Sequence, residues 1–427
     1  MNEPTQAKTE PIQAKASPAR KAERRPADWR ALVLLFFVGW ILMYANRTVL
    51  SPLLKPLGTL WSLSETQLGL LSSAFFLMYT LLQVPFGWLA DRFGRRPVLV
   101  SGYLAHGIGA TLCGLAPGPG AFLGLRILTG SSQGSYYATQ YALAAASIPV
   151  ERRGVGMAVI NSGMAFGIAL GLAASGTLVY GLGLSWRVPF VVLGLVTLVV
   201  AAAMAVLVRE SGRTSASAAQ SAPAAQSAPT VQPAAHPTAS GHHFHRNLIA
   251  ACGASFVSMY GFYVILTWLP YYLQTARGFT GAQAGNVSML MAFAAVPGGI
   301  LAGRLSDRIG GRRRLAVALL PLAAVALAAI VAPGGPVFLA AALILYGLTG
   351  KLVVDPLLVA LVADAAPPER YASAFGILNF FGTTSMVLAP VITGVLAERT
   401  GSFGWAFHLA AVLSLLGLAF LAVAREE

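Results

Sequence analysis

Twelve apolar runs of membrane-crossing length fill this chain almost end to end, and such segments are solvated by lipid or by one another. They fall near 31–54, 65–90, 97–116, 121–149, 154–181 and 187–208, then near 247–273, 282–305, 315–333, 337–364, 371–397 and 403–423. About 20 apolar residues suffice for one helix to cross the hydrocarbon core. Only 10% of the 427 residues are charged, against roughly 25% in a soluble domain, so no large soluble domain fits between the runs. The expected architecture is an all-α polytopic membrane protein with twelve transmembrane helices.

The formal net charge of +14 is unevenly spread. With an even number of spans and the N-terminus inside, most of the 29 Lys and Arg residues fall on one side. They include Arg20, Lys21, Arg24, Arg25, Arg92, Arg95, Arg96, Arg152, Arg153, Arg312, Arg313 and Arg314, whereas Lys55, Arg187, Arg277 and Arg399 fall on the other. This asymmetry is the positive-inside rule, and it predicts that both termini are cytoplasmic. The basic balance therefore reports orientation, and no nucleic-acid partner is expected. Residues 1–30 are polar and basic without an apolar core, unlike a secretory signal. Cys113 and Cys252 lie in apolar spans of different halves, which argues against a disulfide framework or a metal site.

Five segments follow: a basic cytoplasmic tail at 1–30, a six-helix bundle at 31–209, a linker at 210–246, a second six-helix bundle at 247–423, and a cytoplasmic tail at 424–427. The linker is rich in Ala, Ser, Pro and Gln, cannot bury a core, and is expected to be mobile and cytoplasmic. Its histidines, His236, His242, His243 and His245, read as a solvated, weakly basic stretch rather than a metal site. The bundles are related by duplication. Gly87–Arg96 (GWLADRFGRR) recurs as Gly303–Arg312 (GRLSDRIGGR), Glu151-Arg152 recurs as Glu369-Arg370, and Asn161 recurs as Asn379. Duplicated halves place a binding site at their interface near mid-membrane.

Within the spans only four side chains are clearly charged: Arg47, Arg126, Lys351 and Asp355. Each costs about 2.5–3.5 kcal/mol at a helix centre on insertion scales, so such residues face a cavity and serve a purpose. Three cations against one anion leave a positive interior, which suits an anionic solute. Guanidinium groups stay charged and offer a planar fork to a carboxylate. Arg126, Gln133, Tyr137 and Gln140 follow spacings that share one helix face, as do Tyr44 with Arg47, and Tyr260 and Tyr263 with Thr267. Their hydroxyls and amides can orient a bound acid. Lys351 and Asp355 are four apart and meet on one turn, as a neutralised pair or as a proton switch. Gly163, Gly167 and Gly171 form a small-residue stripe for close helix packing.

The stretch 87–96 and its degenerate copy at 303–313 closely resemble the loop motif of the major facilitator superfamily. YANRTVLSPLL at 44–54, LRILTGSSQGSYY at 125–137, LTWLPYYLQTARGFT at 266–280 and the long segment 366–403 resemble its anion–cation symporter branch, which moves sugar acids and other organic anions. The resemblance implies two pseudo-symmetric six-helix bundles, substrate arginines at Arg47 and Arg126, and pocket amides at Asn161 and Asn379. It also implies a cytoplasmic gate of Asp91, Arg92, Arg95, Arg96, Asp307 and Arg308. Three departures stand out: Asn46 where the branch usually has an acid, Gln133 where many members have a glutamate implicated in proton coupling, and the pair Lys351 and Asp355.

The expected function is secondary active uptake of a small organic carboxylate by proton symport and alternating access, in a bacterial inner membrane. The substrate-binding candidates are Arg47, Arg126, Tyr44, Gln133, Tyr137, Tyr260, Tyr263, Asn161 and Asn379; the coupling candidates are Asp355 and Lys351. The alternatives are an exporter of a metabolite, siderophore or drug, or an uncoupled or sodium-coupled anion transporter or exchanger. Span 5 lacks the Gly-Pro element of drug–proton antiporters, which favours uptake. A signalling receptor on a transporter fold would need an output domain, for which tail and linker give no sign. No enzymatic constellation and no cofactor are expected; the driving force is a proton gradient, the partners are a small anion and the lipid bilayer, and the chain is expected to work as a monomer.

Overall fold

Residues 29–149, 152–208, 241–309, 311–366 and 370–424 are described by the structure, a computed structural model. The N-terminal tail, most of the linker with His236, and Glu151 and Glu369 lie outside them, as do the side chains of Asp307, His242 and His243. Lipid offers backbone groups no hydrogen bonds, and among the described residues the regular structure is helix throughout. In the first half, α1 (Trp29–Thr48) passes through a 3-10 turn (Ser51–Leu53) into α2 (Leu54–Trp61), forming one span. Then come α3 (Glu65–Phe93), α4 (Arg95–Leu115), α5 (Pro119–Ser147), α6 (Arg153–Ser175) and α7 (Arg187–Leu207). The second half holds α8 (Gly241–Ala276), α9 (Gly281–Ile309), α10 (Arg312–Val331), α11 (Pro336–Thr349), α12 (Lys351–Ala365), α13 (Tyr371–Thr400) and α14 (Gly404–Val423).

Eleven spans are long and apolar enough to cross a membrane among the described residues, counting α1 with α2 and α11 with α12 as single spans. The 29-residue α5 makes the twelfth; it carries Arg126, Ser132, Gln133, Ser135, Thr139 and Gln140, all buried. Its polarity faces protein, as an intramembrane polar face must. The linker is expected to reach residue 246, yet α8 already begins at Gly241, because Phe244 and Leu248 bury one turn of it in the second bundle's core. Span 10 departs from the single rod expected over 337–364. It breaks at Gly350, where a Cβ would lie 2.6 Å from the Tyr346 carbonyl oxygen.

The duplication extends to the caps. Ser64 and Gln67 form a capping box at the start of α3, and Thr280 and Gln283 form the same reciprocal pair at the start of α9. The halves meet along two seams, α3 on α13 and α6 on α9, which the internal pseudo-symmetry exchanges. On the α6–α1 contact the glycine stripe does its packing: a Cβ at Gly163 would sit 2.6 Å from the Phe37 carbonyl oxygen, and Gly167 and Gly171 abut the Ile41 and Ala45 carbonyls. Close backbone approach fixes the register of α1, and with it the position of Arg47.

The seams are shut at one end. Opposite the basic loops, Ser51 Oγ donates to the Leu266 carbonyl (2.7 Å), Lys55 Nζ to the Gln274 carbonyl (2.9 Å), and Gln274 Nε2 to the Pro52 carbonyl (3.0 Å). Tyr180 donates to Gln274 Oε1 (2.8 Å), Tyr271 to Glu65 Oε1 (3.2 Å), and the Thr66 amide to Glu398 Oε2 (3.1 Å). Toward the basic end the packing loosens: α3 buries Leu68, Leu71, Phe75, Phe76 and Tyr79, but no residue from Thr80 to Leu89 is buried on any side. The passage between the halves opens at the basic end.

Candidate functional site

The four charges singled out from the sequence are the buried charged side chains of the described structure: Arg47, Arg126, Lys351 and Asp355 are each 2–5% exposed. Arg47 stands in the last turn of α1, where a helix C-terminus favours a cation. Its Nε donates to Gln133 Oε1 of α5 over 2.5 Å, and Nη1 reaches the Tyr263 hydroxyl of α8 over 3.4 Å, a long contact that crosses between the halves. The guanidinium carbon lies 4.5 Å from the Tyr44 ring centre and 4.6 Å from that of Tyr79. Two such contacts, worth about 0.5–2 kcal/mol each, offset much of the burial cost. Nη2 has no hydrogen-bond partner. Gln133 is itself fixed, its Nε2 donating to the Met43 carbonyl over 3.1 Å. Arg47 is thus held by neutral groups, with the two N–H groups of Nη2 spare.

Arg126 sits two helical turns before Gln133, toward the closed end. Its Nη1 donates to the Asn46 carbonyl (3.2 Å) and its guanidinium lies 4.4 Å from the Phe75 ring centre. Those contacts tie α5 to α1 and α3. Asn46, at the position where a carboxylate is usual in the resembling branch, donates to the Leu42 carbonyl and to Thr197 Oγ1 of α7.

Across the seam, the break at Gly350 makes Lys351 the first residue of α12. Lys351 Nζ lies 3.1 Å from Asp355 Oδ2 and 5.6 Å from the Phe262 ring centre. Phe262 packs edge-on against Tyr263, at 5.3 Å between ring centres, so the lysine and Arg47 are joined through two residues of α8. Asp355 Oδ1 is unpartnered. It borders a narrow cavity between α8, α12 and α13, lined also by Ser255, Met259, Asn379 and Gly382, on the basic-end side of the carboxylate.

The remaining candidates divide. Tyr137 is buried with its hydroxyl unpartnered and packs on Tyr141 and Trp40. Tyr260 is buried in α8 beside Thr393. Asn161 accepts from the Tyr141 hydroxyl, and Asn379 Nδ2 donates across the seam to Gln83 Oε1 over 3.1 Å. The basic-end residues are dispersed. Asp91, Arg92, Arg96 and Arg308 are exposed; Arg92 stacks near Trp88, and Arg96 bonds the Ala205 carbonyl within its own half. Gly94, with φ of 101°, makes the turn between α3 and α4 that carries them. In the second half, Arg312 pairs with Asp364 and with the Ala360 carbonyl, pinning α10 to the end of α12.

Sequence reasoning passed over Tyr79, whose signal is a polar aromatic one turn before Gln83 in an apolar run. It also passed over the closed-end contacts, several of which use backbone acceptors and leave no side-chain mark.

The family model described as Major Facilitator Superfamily matches residues 36–379, and again 251–427. The chain belongs to the major facilitator superfamily. Among its superfamily relatives, a probable sulfoacetate transporter of Cupriavidus necator is 31% identical over 92% of this chain and 91% of that one. A probable galactarate/D-glucarate transporter of Escherichia coli is 25% identical over 91% and 92% of the two chains. A hexuronate transporter of Bacillus subtilis is 26% identical over 93% and 94%. The solved structure of a bacterial homologue of the human lysosomal transporter Spinster, in an inward-facing and occupied conformation, shares the fold. Its TM-score is 0.70 at 17% identity, with 92% of this chain and 95% of that one covered. This superfamily member is a multi-pass membrane transporter and not an enzyme.

Proposed function

We propose that the chain takes up a small organic carboxylate through a bacterial inner membrane, by alternating access and in symport with a proton. The observation that carries this reading is Arg47: a buried guanidinium at the seam, held by a neutral amide and two tyrosine rings, with Nη2 unsatisfied. In a low-dielectric cleft such a group attracts a carboxylate strongly, and its planar fork donates two parallel hydrogen bonds to it once Nη1 gives up its long contact with the Tyr263 hydroxyl. Sulfoacetate, galactarate, glucarate and hexuronate, the acids for which the relatives are named, all carry a carboxylate. By the positive-inside rule the basic end is cytoplasmic, and the form described is then inward-facing. The gradient enters through Asp355, the buried carboxylate of the described structure, which borders a cavity on the cytoplasmic side.

A second reading, an anion exchanger or uncoupled carrier, is favoured by one observation: neither Asn46 nor Gln133 can ionise, so Arg47 has no acidic neighbour to titrate. Uptake into proteoliposomes separates the two. Sulfoacetate and a C6 aldaric acid are offered with an inward proton gradient, with and without a protonophore. Accumulation that collapses with the protonophore and is absent in Asp355→Asn supports symport. Accumulation indifferent to both supports the exchanger, and Arg47→Gln transporting as well as the unaltered chain removes the anion site altogether.

A further inference from the structure

We propose that Lys351 is a second anchor of the same site and that the preferred substrate is a dianion, with one acidic group on Arg47 and the other on Lys351. The inference rests on the organic-anion reading and narrows it. Charge motivates it first: among the described residues three buried cations stand against one buried anion, an excess of two. Arg126 bonds the Asn46 carbonyl and lies on the Phe75 ring, contacts that stay within the first half and leave its Nε unpartnered. Arg47, which reaches Tyr263 of the second half, and Lys351, which lies over Phe262, are the cations that meet across the two halves.

Position supports the same pairing. Phe262 under the ammonium and Tyr263 against the guanidinium are consecutive residues of α8. The contact between Lys351 and Asp355 is also built to open. Asp355 uses one oxygen on the lysine and leaves Oδ1 unpartnered beside the cavity lined by Ser255 and Asn379. The titratable groups facing it are Lys351 on its own helix, Tyr137 from α5 and Tyr346 from α11.

The exchange is a swap of partners. The second acidic group of the substrate takes the place of Asp355 Oδ2 on Lys351 Nζ. The released carboxylate turns to the cavity, where loss of its counter-ion in a low-dielectric setting favours uptake of one proton from water. Two negative charges and one proton enter the site together, and no bond other than that O–H forms. A monoanion satisfies Arg47, leaves Lys351 on Asp355, and takes up no proton.

Titration calorimetry of the full-length purified chain, in two buffers of different ionisation enthalpy, tests this directly. The ligands are α,ω-dicarboxylates and sulfo-carboxylates against monocarboxylates of equal carbon length. Dianions are expected to bind about tenfold or more tightly, because both of their charges meet a buried cation whereas a monoanion meets one, with close to one proton taken up. The double substitution Lys351→Met with Asp355→Asn leaves no orphan charge. It is expected to bring the dianion preference to near unity and to abolish proton uptake, whereas Lys351→Arg retains both. Monoanions binding as tightly as dianions, or a preference that survives the double substitution, overturns the inference and leaves the carboxylate reading standing. Binding of no acid from either series, or binding undiminished by Arg47→Gln, overturns the carboxylate reading itself. If the double variant does not fold, the ligand series and proton count on the unaltered chain still decide.

Discussion

Arg47 Nε and Gln133 Oε1 are 2.5 Å apart, so the guanidinium at the seam is held by a dipole and not by a charge. Gln133→Glu converts the contact into an ion pair that competes with any incoming acid. At neutral pH the introduced carboxylate is charged and occupies Arg47, and affinity for the anion is expected to fall about tenfold or more. Acidification protonates that carboxylate and restores a neutral acceptor, so affinity should rise as pH falls. Binding isotherms across pH, compared with the unaltered chain, check the sign; affinity that falls further on acidification counts against the arrangement.

Gln274 is the hub of the closed end, accepting from Tyr180 and donating to the Pro52 carbonyl, while its own carbonyl accepts from Lys55. Gln274→Ala removes two of these cross-seam bonds, a loss of about 1–3 kcal/mol in the closed form if both break on opening. The population should shift about 5- to 150-fold toward a form open at that end. Spin labels at Thr59 and Ser402, in a background without Cys113 and Cys252, are expected to show a longer distance distribution. An unchanged distribution would mean that the shut end is held elsewhere.

A Cβ at Gly167 would clash with the Ile41 carbonyl oxygen and sit 2.7 Å from the Tyr44 Cβ, whereas one at Gly124 would meet open space. Gly167→Val pushes α6 off α1 and should destabilise the protein by roughly 1–3 kcal/mol, lowering the melting temperature and weakening anion binding through displaced Arg47. Gly124→Ala should leave both within error. Thermal unfolding with and without ligand distinguishes the two; equal effects would argue against a register role for the stripe.

Asp91 is exposed beside the Gly94 turn, in the form open at that end. If it braces the opposite form against a helix N-terminus or an arginine, Asp91→Asn should cut transport several-fold with little change in surface expression. Parallel loss of both would show that the residue matters only for folding or insertion.

The spans and the four buried charges were legible because each is a local property: an apolar run is long enough or not, and a charge within it stands out. The pairing of Arg47 with Gln133 was legible only as two inward-facing positions, since their meeting depends on how α1 and α5 cross. The break at Gly350 was hidden. A glycine in a span has many uses, and the close approach of this one to the Tyr346 carbonyl four residues earlier follows from how the helix ends, which the sequence does not mark. The closed end was hidden for another reason. Its acceptors at Pro52, Leu266 and Gln274 are main-chain carbonyls, which every residue possesses.

The interruption of span 10 makes it two rods with a joint. The upper rod, α11, is clamped to α9 where Gly347 and Gly298 let the backbones touch. The lower rod, α12, begins with Lys351 and ends where Arg312 grips Asp364. A change of partner at Lys351 would act at the head of the lower rod, whose foot Arg312 ties to α10 at the basic end.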